Sequence, residues 1–122
     1  SNTKTRLIAI GGAGSLYVDE DHTVQLNDTP EFPQEFLVRS KTHAKSDDIL
    51  RKFSNVDWTM FTPPPILDAE GPESKDYILG NENVIVNKEG KPYISYDTFA
   101  QILVDEINNH KFGRQRFTAV QN

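Results

Sequence analysis

The chain has 122 residues, 36% of them hydrophobic, a net charge of -5 and a mean hydropathy of -0.58, which bounds it to one domain with a modest core. Its 13 basic residues are scattered among 18 acidic ones, which argues against nucleic acid or an anionic membrane surface as partner, and no apolar run reaches the roughly 20 residues that span a bilayer. The lack of cysteine excludes disulfides, thiol catalysis and thiolate metal sites, and it suits a cytoplasmic protein.

Ser1-Asn2 reads as a cloning remnant, and no signal-peptide pattern follows it. Arg6–Ile10 reads as a buried strand, aliphatic after its arginine, and runs into Gly11-Gly12-Ala13-Gly14-Ser15-Leu16-Tyr17. Gly12 and Gly14 fit a G-x-G-x-x-G phosphate cradle, but Tyr17 replaces the third glycine and the following residues lack helical periodicity. The better reading is a later strand of a dinucleotide fold, whose glycines let backbone pass close to a cofactor or substrate. Tyr17-Val18 and Thr23–Leu26 flank an acidic tip and suggest a short hairpin.

From Pro33 to about Phe53 the pattern turns helical, with a stripe of Phe36, Leu37, Ser40, Ala44, Ile49, Leu50 and Phe53 that is thin in its middle. Val56–Thr62 reads as a second buried strand, stopped by Pro63-Pro64-Pro65, and Trp58 is a core candidate. Short strands are expected at Tyr77–Leu79, Asn83–Asn87 and Pro92–Ser95, with a turn at Lys88-Glu89-Gly90. Ser95 can cap a helix to about Asn109 that buries Phe99, Ile102, Leu103 and Ile107, with Asp105, Glu106 and Asn109 toward water. Arg114–Val120 is a closing strand. The order describes an α/β fold, and specifically the tail of a sheet with small additional β pieces.

Leu7–Leu16, Asp57–Pro64, Ile94–Ala100 and Arg114–Thr118, taken together and in this order, resemble the C-terminal half of the atypical short-chain dehydrogenases of the NADH-flavin reductase kind. These are relatives of the NmrA-like and biliverdin-reductase-B-type proteins. The resemblance covers nearly the whole chain. It implies the C-terminal part of a Rossmann-like parallel sheet, a single substrate-side domain whose dinucleotide fingerprint belongs to an N-terminal half. It further implies NAD(P)H as cofactor, a flavin or similar small-molecule acceptor as substrate, and no metal. In such a family Gly12, Gly14, Pro63 and Pro64 lie near the nicotinamide, Ser15 donates to the acceptor and Tyr17 borders the substrate.

The Tyr-x-x-x-Lys pair of typical short-chain dehydrogenases is absent: Tyr17, Tyr77, Tyr93 and Tyr96 are followed four residues on by Asp21, Asn81, Asp97 and Ala100. Hydride delivery to a flavin needs no such base, because the chemistry belongs to the cofactor. A dinucleotide-sensing module without turnover, or an inactive fragment, stays open as an alternative. Each candidate also has a plainer explanation. Ser15 can satisfy a turn's backbone, Tyr17 can be an ordinary half-buried tyrosine, and the prolines can simply end a strand. His22, His43 and His110 lack metal-ligand spacing. Ser15→Ala is expected to lower turnover while sparing stability, and a strand left without a neighbour is expected to make the isolated chain self-associate.

Overall fold

The computed structural model describes residues 6–53 and 55–122. Ser1-Asn2 lie outside the described residues. Four strands form the main sheet in the order β1-β2-β6-β4: β1 (Arg6–Ile10), β2 (Asp57–Phe61), β6 (Arg116–Gln121) and β4 (Tyr77–Gly80). The first three run parallel and β4 pairs antiparallel with β6. A separate parallel pair joins β3 (Ile66–Asp68) to β5 (Tyr93–Ser95). Helix α1 (Leu37–Arg51) lies between β1 and β2 in the chain, and α2 (Tyr96–Asn109) precedes β6. This is a mixed α/β fold with a parallel-dominated sheet, of the Rossmann-like kind expected.

Strand β6 is buried at all six positions because it is flanked by β2 and β4. Around it sits the core: Phe61, Ile94, Ile102, Phe117 and Ala119. A column of stacked rings runs through it, Phe99 on Phe61 at 4.0 Å, Phe61 on Phe117 at 4.3 Å and Phe117 on Phe112 at 4.3 Å between centroids. Such contacts add to the area term that dominates core stability. Trp58, in β2, is also buried, as expected of a core residue. Ser95 caps α2, its hydroxyl accepting from the Thr98 N–H at 3.1 Å, and His110, in the left-handed region at φ 49°, ends it.

Several expectations need correction. Strand β1 is only partly buried: it pairs with β2 alone among the described residues, and Leu7 and Ile10 are about half exposed. The short hairpin around the acidic tip does form, as one antiparallel bridge, Tyr17 with Gln25, flanked by the Val18 N–H donating to the Val24 carbonyl at 2.9 Å and the Leu26 N–H to the Leu16 carbonyl at 2.8 Å, before Leu26 enters a 3-10 turn. Asn83–Asn87 is not a strand; Asn83 makes one parallel bridge to Tyr17 and the rest is loop. On α2, Glu106 is buried at 4% exposure and Ile107 is 57% exposed, the reverse of the amphipathic reading. Position 106 continues the 99, 102, 103 face at helical spacing, so it points inward. Its charge is tolerated because Arg6 pairs with it and the Lys111 and Phe112 N–H groups donate to its carboxylate at 3.1 and 2.9 Å. The Arg6 guanidinium also donates to Thr59 Oγ1 and to the Glu106 carbonyl. On α1 Ile49 is exposed, as are Phe36 and Phe53 just outside its two ends, and the buried positions are Ser40, Ala44 and Asp47.

Candidate active site

The polar middle of α1 is explained by what it faces. After β1 the chain makes a 3-10 turn, Ala13–Ser15, rather than the helix a phosphate cradle needs. Helix α1 packs directly on that turn. A Cβ on Gly14 would lie 1.9 Å from Ser40 Oγ, and one on Gly12 would lie 3.6 Å from the Cβ and ring of His43. Glycine is needed at 14 for this close approach of helix to backbone. Beside the contact lies a cleft of about 430 Å³, beyond the carboxyl ends of β1 and β2. That is where open parallel α/β sheets bind ligands. Gly12, Ala13 and Gly14 form its floor, Phe32, Pro33 and Phe36 an apolar wall, and Arg39, Ser40 and His43 the wall contributed by α1. Leu26, Thr29, Glu31 and Pro65 complete the rim.

Behind the floor is a buried charge network. Arg116, 2% exposed in β6, donates from Nη1 to Ser15 Oγ at 2.6 Å and from Nη2 to the Ser15 carbonyl at 3.0 Å. Its Nε and Nη2 reach Glu82 Oε1 at 3.0 and 2.9 Å. Arg51, from the end of α1, makes a fork onto both Glu82 oxygens at 3.1 and 3.0 Å. Burial would raise the Glu82 pKa, but the Arg51 hydrogen bonds and the charges of Arg116 and Arg51 outweigh it and hold the carboxyl below its ordinary value. Asp47 behaves oppositely. Burial pushes its carboxyl up, and the Arg116 charge, the Ser15 hydroxyl, Arg51 and His43 only partly offset that. Ser15 Oγ can donate to the Gly12 carbonyl at 3.0 Å or to Asp47 Oδ2 at 3.3 Å.

Of the residues the sequence singles out, Gly12 and Gly14 line the cleft. Ser15 is buried behind them at 3% exposure, with its hydroxyl engaged by Arg116, so it does not face the cleft. Pro63 and Pro64 are buried and Pro65 is the proline at the rim. Tyr17 sits apart, its ring against His22 at 5.1 Å and its backbone paired with Glu82 and Val84. Among the described residues no cluster of three His, Cys, Asp or Glu could hold a metal ion, and no helix is long and apolar enough to cross a membrane. Sequence reasoning missed Phe32, Arg39 and His43 as lining residues. The available signal was the run of Phe36, Ser40, His43 and Asp47 at helical spacing, a face too polar for a core.

The uncharacterized protein YwnB of Bacillus subtilis is 40% identical over 116 residues, which cover 95% of this chain and 54% of that protein. The crystal structure of SP1627 from Streptococcus pneumoniae, described as "a putative NADH-flavin reductase", superposes with a TM-score of 0.93 at 38% identity, over 98% of this chain and 57% of the other. The chain is similar to the C-terminal part of putative NADH-flavin reductase and epimerase proteins and shares their Rossmann-like fold. A Bacteroides thetaiotaomicron structure described as a "putative epimerase" shares the same region at 30% identity and a TM-score of 0.86, covering 95% of this chain and 53% of that one. No protein-family model matches the chain. It spans about half the length of these relatives. The cleft floor after β1 and the α1 wall lie in the matched portion, which is 98% of this chain against the Streptococcus pneumoniae structure.

Proposed function

We infer that the chain supplies the acceptor side of an NAD(P)H-dependent oxidoreductase that passes hydride to a flavin or a similar planar small molecule. The observation that carries the reading is the apolar cleft of about 430 Å³ over the Gly12–Gly14 floor at the carboxyl end of β1. Its volume falls within the roughly 300–1,000 Å³ usual for small-molecule sites. The floor has no side chain at Gly12 or Gly14, so a flat ring can approach the backbone, and Phe32 and Phe36 can cover such a ring and exclude water. The likeness to the Streptococcus pneumoniae protein over 98% of the chain supports the same assignment.

When bound, a reduced nicotinamide supplies the hydride. The residues present fit the ring end of such a group. They do not fit its pyrophosphate, since a 3-10 turn replaces the helix N-terminus that would bind it. The chain's own contribution is positional. Arg116 holds Ser15, the Ser15 hydroxyl donates to the Gly12 carbonyl or to Asp47, and α1 presses on Gly14, so the floor is pre-organised before a ligand arrives. In this reading Ser15 is a positioning residue. The test joins this chain to the N-terminal half of a relative and follows NADH and NADPH consumption with flavin as acceptor. Flavin-dependent turnover supports the reading, and cofactor binding without turnover would favour a sensing module instead.

A further inference from the structure

We propose that Arg39 and His43 form an anion clamp at the cleft, selecting a planar ring that carries a phosphate monoester over the same ring without one. The proposal rests on the cleft's being a ring-binding site and names the class of ligand it takes. Two residues four apart on a helix lie one above the other on the same face. Here both line the cleft, with Ser40 between them in sequence. His43 is exposed and borders the floor, its ring 3.6 Å from where a Cβ on Gly12 would lie. Arg39 makes no ion pair or side-chain hydrogen bond among the described residues, whereas the buried arginines Arg6 and Arg116 are each tied to a glutamate. Its guanidinium is therefore available as a two-pronged donor to phosphate oxygens.

The surroundings sharpen the argument. The whole chain carries -5 and the formal charges of Arg39 and Glu31 cancel in the lining, so an anion is held here by directed donation from the Arg39 fork and a His43 ring N–H and not by net charge. The single acidic residue of the lining is Glu31, across from α1 on the rim, and it works against an anion. The apolar wall of Phe32, Pro33 and Phe36 takes the ring and leaves the charged end of the ligand toward α1. The ligand of this chemistry is a flavin mononucleotide, a planar ring with a terminal phosphate monoester.

The test measures binding to the 122-residue chain by titration calorimetry, with FMN against riboflavin and nicotinamide mononucleotide against nicotinamide riboside. A preference of at least about tenfold for the phosphorylated member, equivalent to 1.4 kcal/mol, is expected and should weaken with added salt. Arg39→Gln and His43→Gln should each collapse the preference, Glu31→Gln should widen it, and Lys45→Gln, on the same helix but outside the cleft, should leave it as it was. Preference in the flavin pair assigns the clamp to the acceptor, and preference in the nicotinamide pair alone overturns that assignment. Equal binding of both members of each pair overturns the clamp while leaving a ring-binding cleft. No binding of any of the four overturns both the clamp and the reading of the cleft.

Discussion

Arg116 donates a hydrogen bond to the hydroxyl of Ser15 at 2.6 Å, across a sequence separation of 101 residues. The contact ties the last strand of the sheet to the turn that follows the first. With the second bond to the Ser15 carbonyl, it makes the floor of the cleft depend on β6. Fully buried, the guanidinium must keep its partners, since an unpaired buried charge is costly.

Ser15→Ala should therefore lower stability, contrary to what the sequence suggests. A hydrogen bond to a charged group contributes about 1.5–3 kcal/mol. Urea unfolding of the variant should show a loss of that order. An unchanged midpoint would show that Arg116 finds another acceptor and that Ser15 is not a structural node.

Gly14→Ala should lower stability by about 1–3 kcal/mol, the usual cost of overpacking. The cause is steric, because the new methyl would sit 1.9 Å from Ser40 Oγ and 3.2 Å from the Phe32 ring. The same displacement of α1 should weaken flavin binding. Wild-type stability and binding together would mean that α1 is free to move off the turn.

Removing either partner of the Arg6–Glu106 pair should cost about 3–5 kcal/mol, because the other charge is left buried. The pair also sets an acid response. Burial would raise the Glu106 pKa, but the Arg6 hydrogen bond, the Phe112 and Lys111 N–H groups and the Arg6 charge hold it below its ordinary 4.5. A depressed carboxylate stabilises the fold above its unfolded value and loses that contribution as pH falls. Urea midpoints should thus drop below about pH 4.5, and Glu106→Gln should flatten this part of the profile. An acid limb of equal slope in the variant would assign the acid response to other groups.

Asp47 has the opposite sign. Its folded pKa lies above the ordinary 3.8, chiefly through burial, so the native state holds a proton that the unfolded chain releases. The fold therefore loses stability as pH rises from 3.8 through the raised value. Asp47→Asn should remove this loss and leave stability near neutral pH no lower than wild type. A clear drop at neutral pH would mean that its attraction to Arg116 outweighs its desolvation.

The isolated chain should self-associate through β1. One edge of this strand has no partner among the described residues, and Leu7 and Ile10 are 47% and 48% exposed. An open strand edge with apolar side chains is a template for another chain. Light scattering over a dilution series should show mass above the monomer, reduced by Leu7→Lys. A concentrated, cooperative monomer would show that the edge is protected.

The sequence by itself determined which segments are strands and helices wherever an apolar run or a helical period was strong. Arg6–Ile10, Asp57–Phe61, both long helices and the closing strand all fall close to where the pattern puts them. It also determined the turn after β1, because glycines followed by Tyr17 without helical periodicity cannot build a phosphate cradle. The weak Asn83–Asn87 pattern misled, since a strand needs a neighbour and only Asn83 found one. What the tertiary structure decided was where charge goes. Glu106 and Asp47 stand at positions that local pattern assigns to water or leaves blank, and each is buried against groups far away in sequence, including Arg6 and Arg116. Periodicity registers hydrophobicity along one element, whereas a buried polar group is permitted only by partners that folding delivers from others. For the same reason the cleft residues of α1 stayed hidden. Ser40 and His43 look like gaps in a core stripe until the turn after β1 is packed against them.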